Sequence, residues 1–433
     1  MKKDTCLKTS FAKKLILSVF LTQAVGVASA WAACQIPTGN ESSSAREQNR
    51  LNCLAESRFL NELPALDSAD FQRQIVSPRL KGKLDLQNGQ DVYCRFHYQS
   101  QNGNSTKFRC ARTNEQNQLY DSKGELVPEA VNLIDENDDV YLADRQKKKI
   151  ENRKAQIFKV RYSDGNSRNV ENYVSVAASR ILWAMGVPAH NNIMTNRVMC
   201  FGCEKSPFRK QQAPLADRRG NYVLQAFPDA SIEFKYEGKR MYAPTQNPWS
   251  WSEVNTLLDR GIWDHNKRLE SEVFALANHF LGFTSDAGFQ NALVCTERDS
   301  TNNSICLKSL AFVHDIGASF GNRAQKRTIF NHTRPRGDIE AYEESRIFKN
   351  NTCEFTYSSS DGKLPRNISR QAQDMFLARA QNLNAATLKQ IISASRIARI
   401  KFRGNAQELE QRENRWVQAL LNKVNEVRQA SCP

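Results

Sequence analysis

Asp286 stands five residues before Asn291, and Asp315-Ile316-Gly317 follows 24 residues after that Asn. Two carboxylates flanking an amide in this order suit phosphoryl transfer to a hydroxyl. The first Asp would orient the acceptor or take its proton, while the Asn and the second Asp would hold a divalent cation against nucleotide phosphates. Leu310-Ala311-Phe312-Val313 reads as a buried strand that delivers His314 and Asp315 at its carboxyl end, and Gly317 and Gly321 permit a turn beyond it. The spacing alone is cheap: Asp164 and Asn169 repeat it, and Asp286-Ala287-Gly288 is itself an Asp-x-Gly. The weight therefore falls on the order and on the strand that leads into Asp315.

Such residues need elements to hold them. Gln156 to Tyr162 reads as a strand with Lys159 inside it, and a lysine there must either meet a partner such as phosphate or reach solvent along its stem. Residues 172–185 form an amphipathic helix marked by Val176, Ser179/Arg180 and Trp183, ended by Gly186 before Pro188. Its most natural register places Ser175 where an acid would pair the lysine, which leaves Glu171 as the nearby candidate. Asp91 to Tyr98 and Thr106 to Cys110 alternate in the strand period across the turn Gln101-Asn102-Gly103-Asn104. Backbone N–H groups at Gly103 could cradle phosphate there, or the pair is an edge hairpin stapled by a disulfide. Two more strands, Asn192 to Met199 and Tyr222 to Phe227, lead to Pro228-Asp229, giving five strands and one helix up to a boundary at residue 228. Helices at 253–258, 269–283, 368–381, 386–400 and 409–427 fill the rest. Trp249-Ser250-Trp251 is read as packing rather than a carbohydrate platform, and His279 as a core histidine. Residues 111–152 read as an insertion or long loop.

Thr284-Ser285-Asp286 to Asn291-Ala292-Leu293-Val294, followed by Phe312-Val313-His314-Asp315-Ile316-Gly317-Ala318-Ser319-Phe320-Gly321, resembles the catalytic and metal-binding loops of the phosphatidylinositol 3/4-kinase-like and HipA-like branch of the kinase fold. It also resembles a group of uncharacterised exported bacterial proteins, with further matches at Lys159-Val160-Arg161-Tyr162, residues 176–186, Cys200-Phe201-Gly202-Cys203 and Trp249 to Glu253. The likeness spans about residues 90 to 425. It implies an α+β, bilobal kinase-like fold with a small β-rich N-lobe carrying one helix and a mainly helical C-lobe. It further implies ATP with Mg or Mn as cofactor, Asp286 as the catalytic residue, Asn291 and Asp315 as metal ligands, and Lys159, Glu171 and Gly103 as nucleotide-binding residues. No His-Arg pair precedes Asp286, and no Gly-x-Gly-x-x-Gly loop occurs. The basic stretches Asn322 to Arg327 and His332 to Arg336 occupy the activation-segment position, either to receive an anionic headgroup or as a solvated loop.

Five lysines, an apolar run from Leu15 to Val27, and Ala-x-Ala sites before Cys34 predict a cleaved secretory signal over 1–32 and export to the periplasm or beyond, with no transmembrane helix afterwards. Lipidation of Cys34 is the weaker alternative. Ten cysteines remain after Cys6 leaves, and nearest pairings are Cys34 with Cys53, Cys94 with Cys110, Cys295 with Cys306, and Cys353 with Cys432. Cys200 and Cys203 could form a redox or zinc motif, but without a second such pair a structural disulfide is the simpler reading. The net charge is +15, or +11 without residues 1–32, which suits acidic partners such as lipid headgroups or nucleotides. No nucleic-acid-binding motif accompanies it, so nucleic acid is not expected as a partner. The expected organisation is a signal at 1–32, a helical extension at 33–80, an N-lobe at 81–228 and a C-lobe at 229–433, acting as a monomer on a protein or lipid acceptor. Two other readings fit the same residues: a catalytically degenerate binding module, and a structural envelope protein.

Overall fold

Alternation in the first half of the chain builds one sheet, and the connections between its strands dictate its shape. The computed structural model describes residues 33–37, 41–76, 86, 88–98, 106–121, 124–127, 132–135, 152–155, 157–163, 169–205, 214–234, 236, 238–241, 249–282, 291–313, 316–321, 336–356 and 367–433. Helices α1 (Ser43–Glu56) and α2 (Ala69–Val76) come first, α1 capped by the Ser42 hydroxyl, which accepts from the Ala45 N–H. Strands β1 (Asp91–Tyr98) and β2 (Lys107–Arg112) pair antiparallel, joined by the Cys94–Cys110 disulfide. In a short parallel pair, β3 (Asn132–Asp135) lies within the expected insertion at 111–152 and β4 (Asn152–Ala155) begins at its last residue. Then come β5 (Ile157–Arg161), α3 (Glu171–Ala184), β6 (Asn191–Met194), β7 (Arg197–Phe201), β8 (Leu224–Pro228) and β9 (Ser231–Phe234).

The sheet has seven strands in the order β6-β9-β5-β2-β1-β7-β8, two more than expected. The single strand expected at 192–199 is two, β6 and β7, which sit near opposite ends of that order. Five strand spacings on a flat sheet would be about 24 Å, whereas the step from Met194 to Arg197 can reach only about 10 Å. The sheet must therefore roll up, and cross-links between the two connections hold it so: the Thr195 N–H donates to Ala230 O at 2.9 Å and the Asp229 N–H to Asn196 O at 3.0 Å. Inside the roll are Val92, Cys94, Phe96, Phe108, Phe158, Val160, Ile193, Val198, Phe227 and Ile232. Because β9 belongs to this sheet, it runs past residue 228 to Phe234.

The second half is mainly helical, as the sequence leads one to expect: α4 (Trp251–Asp259), α5 (His265–Phe280), α6 (Ile339–Glu344), α7 (Arg370–Ala380), α8 (Ala385–Ser395) and α9 (Ala406–Gln429). It also holds a small sheet of β10 (Lys239–Arg240), β11 (Asn291–Arg298) and β12 (Cys306–Val313), stapled by Cys295–Cys306. Residues 33–76 join this core rather than standing off as an extension. Arg58 bridges the edge of β12, and the Phe59 ring meets Trp249, Trp263 and Phe274 edge-on with centroids 5.3, 5.3 and 5.4 Å away. Trp249 and Trp251 are thus core residues, and buried His279 stacks on Phe355.

All ten cysteines that follow residue 32 are paired, as 34–53, 94–110, 200–203, 295–306 and 353–432. Cys200 and Cys203 are consequently a disulfide and not zinc ligands. A sulfur shared with Cys53 cannot carry a lipid thioether, which excludes lipidation of Cys34 in this state. Five disulfides fit a compartment outside the cytoplasm, and among the described residues no helix is long and apolar enough to cross a membrane.

Candidate active site

Period-two alternation in β5 points Phe158 and Val160 into the roll and puts Lys159 and Arg161 together on the opposite face, toward α3. Sheet pairing aligns Lys159 with Glu233 of β9, and Glu233 in turn with Asn192 of β6. The Lys159 ammonium donates to both Glu233 carboxylate oxygens at 3.2 Å, and Arg161 donates to the second of them. Arg161, 2% exposed, also lies with its Nε 3.7 Å from a carboxylate oxygen of Glu171, the first residue of α3. Arg336 donates to the other Glu171 oxygen. The acid expected for Lys159 is therefore supplied by Glu233, while Glu171 is engaged by two arginines. Arg161 is legible in hindsight as the residue two after Lys159 on the same strand face. Glu233 had a fainter signal, an acid in the short alternating run Ser231-Ile232-Glu233-Phe234.

The start of α3 is fixed from the sheet. Asn169 Oδ1 accepts from the Glu171 N–H at 3.2 Å, and its amide nitrogen donates to Thr106 O at 3.1 Å and Thr106 Oγ1 at 3.2 Å. Asn169 thus orients a helix, which is the role left to it by the chance Asp164–Asn169 spacing. Farther along, α3 lies on the 3-10 turn Ile316–Ala318 that contains Gly317. A Cβ at Gly317 would sit 3.1 Å from Ser175 Oγ and 3.2 Å from both Cβ and Cγ of Glu171. A side chain at 317 would press on the helix by a few tenths of an ångström, so glycine gives the closest fit here. Ser175 is wholly buried, and its hydroxyl has no hydrogen-bond partner among the described residues.

Asp286, Asp315, His314 and Gly103 lie outside the described residues, so the geometry speaks to their flanks. Asn291 opens β11, is 6% exposed, and pairs in register with Val313, two residues before Asp315. The indole N–H of Trp249 donates to the Ala292 carbonyl oxygen at 3.0 Å and anchors this strand end. At the other flank, Gly282 has φ +56° and a Cβ there would meet Gly321 O at 2.9 Å, while the Phe320 N–H donates to Leu281 O at 2.7 Å. Hence the segment bearing Asp286 leaves from beside Gly321 and returns opposite Val313, on either side of Asp315. Phe320 itself takes φ +57°, unusual for a bulky residue, and its ring packs on Tyr342 and Trp416. Among the described residues that flank 322–335, the Gly337 N–H donates to Ser319 O at 3.2 Å.

Among the described residues no cluster of three His, Cys, Asp or Glu side chains could hold a metal ion. The candidate donor set, the Asn291 amide with the Asp286 and Asp315 carboxylates, is all oxygen and suits a hard cation such as Mg or Mn.

No family model and no curated protein matches the chain. Two solved structures of the Golgi casein kinase, one of them with Mn/ADP bound, are similar to it at 11% and 12% identity, covering 78% of this chain and 74% of that chain with TM-score 0.29.

Proposed function

We propose that this chain is a kinase-like phosphotransferase of a non-cytoplasmic compartment, moving the γ-phosphoryl group of a nucleoside triphosphate to a hydroxyl. The observation that carries this reading is the convergence of the flanks of Asp286 and Asp315 on a turn packed under α3, beside the Lys159, Arg161, Glu171 and Glu233 cluster. In this reading Asp286 orients the acceptor hydroxyl and accepts its proton. Asn291 and Asp315 hold the divalent cation that neutralises phosphate charge. Lys159 is the cation that would meet phosphate oxygens, held by Glu233, and the buried Arg161 fixes Glu233 and Glu171 around it. Positioned charge of this kind is the main catalytic resource in phosphoryl transfer. The acceptor class suited by the basic chain is an anionic protein or lipid surface.

The test is a thermal shift of the mature oxidised protein with ATP and Mn or Mg, in wild type, Asp315→Ala and Lys159→Met. A ligand that binds only the folded state raises the melting temperature. A metal-dependent rise lost in both variants is the expected result; no rise with either metal would sink the reading. A second reading, a binding module without catalysis, draws on the engagement of Glu171 by Arg161 and Arg336, which leaves it away from Lys159. Nucleotide binding without turnover on any hydroxyl acceptor would favour it.

A further inference from the structure

The last turn of a helix leaves carbonyl oxygens that no N–H of the same helix can reach. At the end of α3 a glycine cap takes the first of them: the Gly186 N–H donates to Trp183 O at 2.9 Å and the Val187 N–H to Leu182 O at 2.8 Å, with Gly186 at φ +66°. The next go to other parts of the chain. Ala184 O accepts from the Asn382 amide at 2.9 Å, Met185 O from Arg379 Nη1 at 3.0 Å, and Gly186 O from the Asn61 N–H at 2.8 Å. The same two side chains hold the segment that carries Asn61, Arg379 Nη1 donating to Asn61 O at 3.0 Å and Asn382 to Pro64 O at 2.9 Å. A Cβ at Gly186 would lie 2.5 Å from Arg379 Nη1 and 3.0 Å from Glu62 O, so glycine is needed there for space as well as for φ.

Residues 58–64 also reach the other side of the candidate site. The Arg58 N–H donates to Ser309 O at 3.1 Å and its carbonyl oxygen accepts from the Ala311 N–H at 2.9 Å, both on β12, the strand that ends two residues before Asp315. Asn61 Nδ2 donates to Tyr236 Oη at 3.1 Å, in the stretch that joins β9 to β10. One short segment thus ties β12 to the carboxyl end of the helix whose first residue is Glu171. We propose that residues 58–64 are a splint that sets α3 against β12 in a single arrangement with or without ligand, and that Arg379 fastens it and is a positioning residue for the Glu171 end of α3. With 14 residues α3 is a rod of about 21 Å, so a constraint at one end fixes the other. This regulation of the site rests on the phosphotransferase reading only where nucleotide serves as the probe.

The experiment is amide hydrogen exchange of the mature oxidised protein with and without ATP and Mn, in wild type, Arg379→Met and Arg379→Lys. It is read separately for residues 184–187, at the cap, and for residues 174–177, about two helical turns or more away. In wild type both groups should be protected without ligand, and ATP with Mn should slow them by less than about twofold. Arg379→Met should speed both groups about tenfold and weaken the nucleotide-dependent thermal shift, while α5 and α9 keep their protection. Arg379→Lys, which can still donate to one of the two carbonyl oxygens, should recover part of each effect. Faster exchange confined to 184–187 would make Arg379 a local cap and overturn the proposal. A wild type whose residues 174–177 are protected only with ATP and Mn present would overturn it too. Asn382→Ala, which removes two hydrogen bonds and no charge, carries the same expectation and decides the matter if Arg379→Met does not fold. Exchange as expected without any nucleotide-dependent shift in wild type would uphold the splint and count against phosphotransfer, so the two fail separately.

Discussion

Arg161→Met is the sharpest test of the charge cluster, because the guanidinium is 2% exposed and lies between two carboxylates. Removing one partner of a buried ion pair typically costs about 3–5 kcal/mol, mostly from the charge left behind. Here neither acid is left alone: Glu233 keeps Lys159 and Glu171 keeps Arg336. The loss should fall below that range, at about 2–3 kcal/mol. Lys159→Met, at a position with an 18% exposed side chain, should cost about 1 kcal/mol. The double variant is the informative one. It strips both described cations from Glu233, whose side chain is 6% exposed, so its cost should exceed the sum of the singles by about 1–2 kcal/mol. Urea titration of the four oxidised proteins gives the cycle, with the slopes compared to confirm that the same transition is measured. Strict additivity, or an Arg161→Met cost under about 1 kcal/mol, would show that Glu233 does not depend on the two cations and would refute the shared-carboxylate argument.

Three further outcomes can be checked. Gly317→Ala should change stability by no more than about 1 kcal/mol, since a few tenths of an ångström of overpacking against Ser175 and Glu171 is offset by the lower entropy of the unfolded chain. Its nucleotide-dependent thermal shift should nevertheless fall sharply, and an unaltered shift would remove the α3 contact from the site. Lys423 is buried in α9 with its ammonium donating to Ser345 O, and burial lowers its pKa, with Glu426 opposing. Because the folded pKa lies below the unfolded value, the charged form is penalised on folding at neutral pH, and the penalty fades as pH rises toward 10.5. Wild type should therefore gain stability relative to Lys423→Met over that interval in melting curves; a constant difference would contradict it. Replacing Cys353 and Cys432 with serine, a pair separated by 79 residues, should cost about 4 kcal/mol in urea titrations. A cost below about 1 kcal/mol would show that the C-terminus docks without its tether.

Local pattern carried a good deal of this architecture. The hairpin of β1 and β2, the strand with Lys159, and the helix from Glu171 all follow from periodicity and end signals that act within a dozen residues. Trp249 and Trp251 were legible as core because adjacent aromatics at a helix start have an apolar face to meet. What escaped was register between distant strands. Nothing near Lys159 says that Glu233, on a strand whose own signal is four residues long, will lie opposite it. The roll of the sheet was hidden for a related reason: Asn192 to Met199 keeps strand character throughout, and only the pairing partners reveal the break at Thr195 and Asn196. Helix α2 was missed because eight residues beside a proline-containing stretch offer little periodicity.

The departures from a familiar kinase pattern acquire a physical sense once α3 is seen against its turn. An acid at position 175 would be wholly buried against Gly317, where even the serine hydroxyl has no hydrogen-bond partner among the described residues, so its desolvation would be costly. One turn earlier, Glu171 sits at the helix N-terminus, where backbone N–H groups favour a negative charge and Arg161 and Arg336 can reach it. With Lys159 and Glu233 added, the described cluster holds three cations and two anions. Glu171 of this cluster packs against Gly317, two residues beyond Asp315 in the sequence. A phosphate arriving there would meet cations already oriented by carboxylates, so little reorganisation is needed to bind it. Neutralising Glu233 instead, as Glu233→Gln, should leave the charge excess larger but its cations less fixed. A weaker nucleotide-dependent thermal shift in that variant, despite its greater positive charge, would show that orientation of the cations matters more than their number.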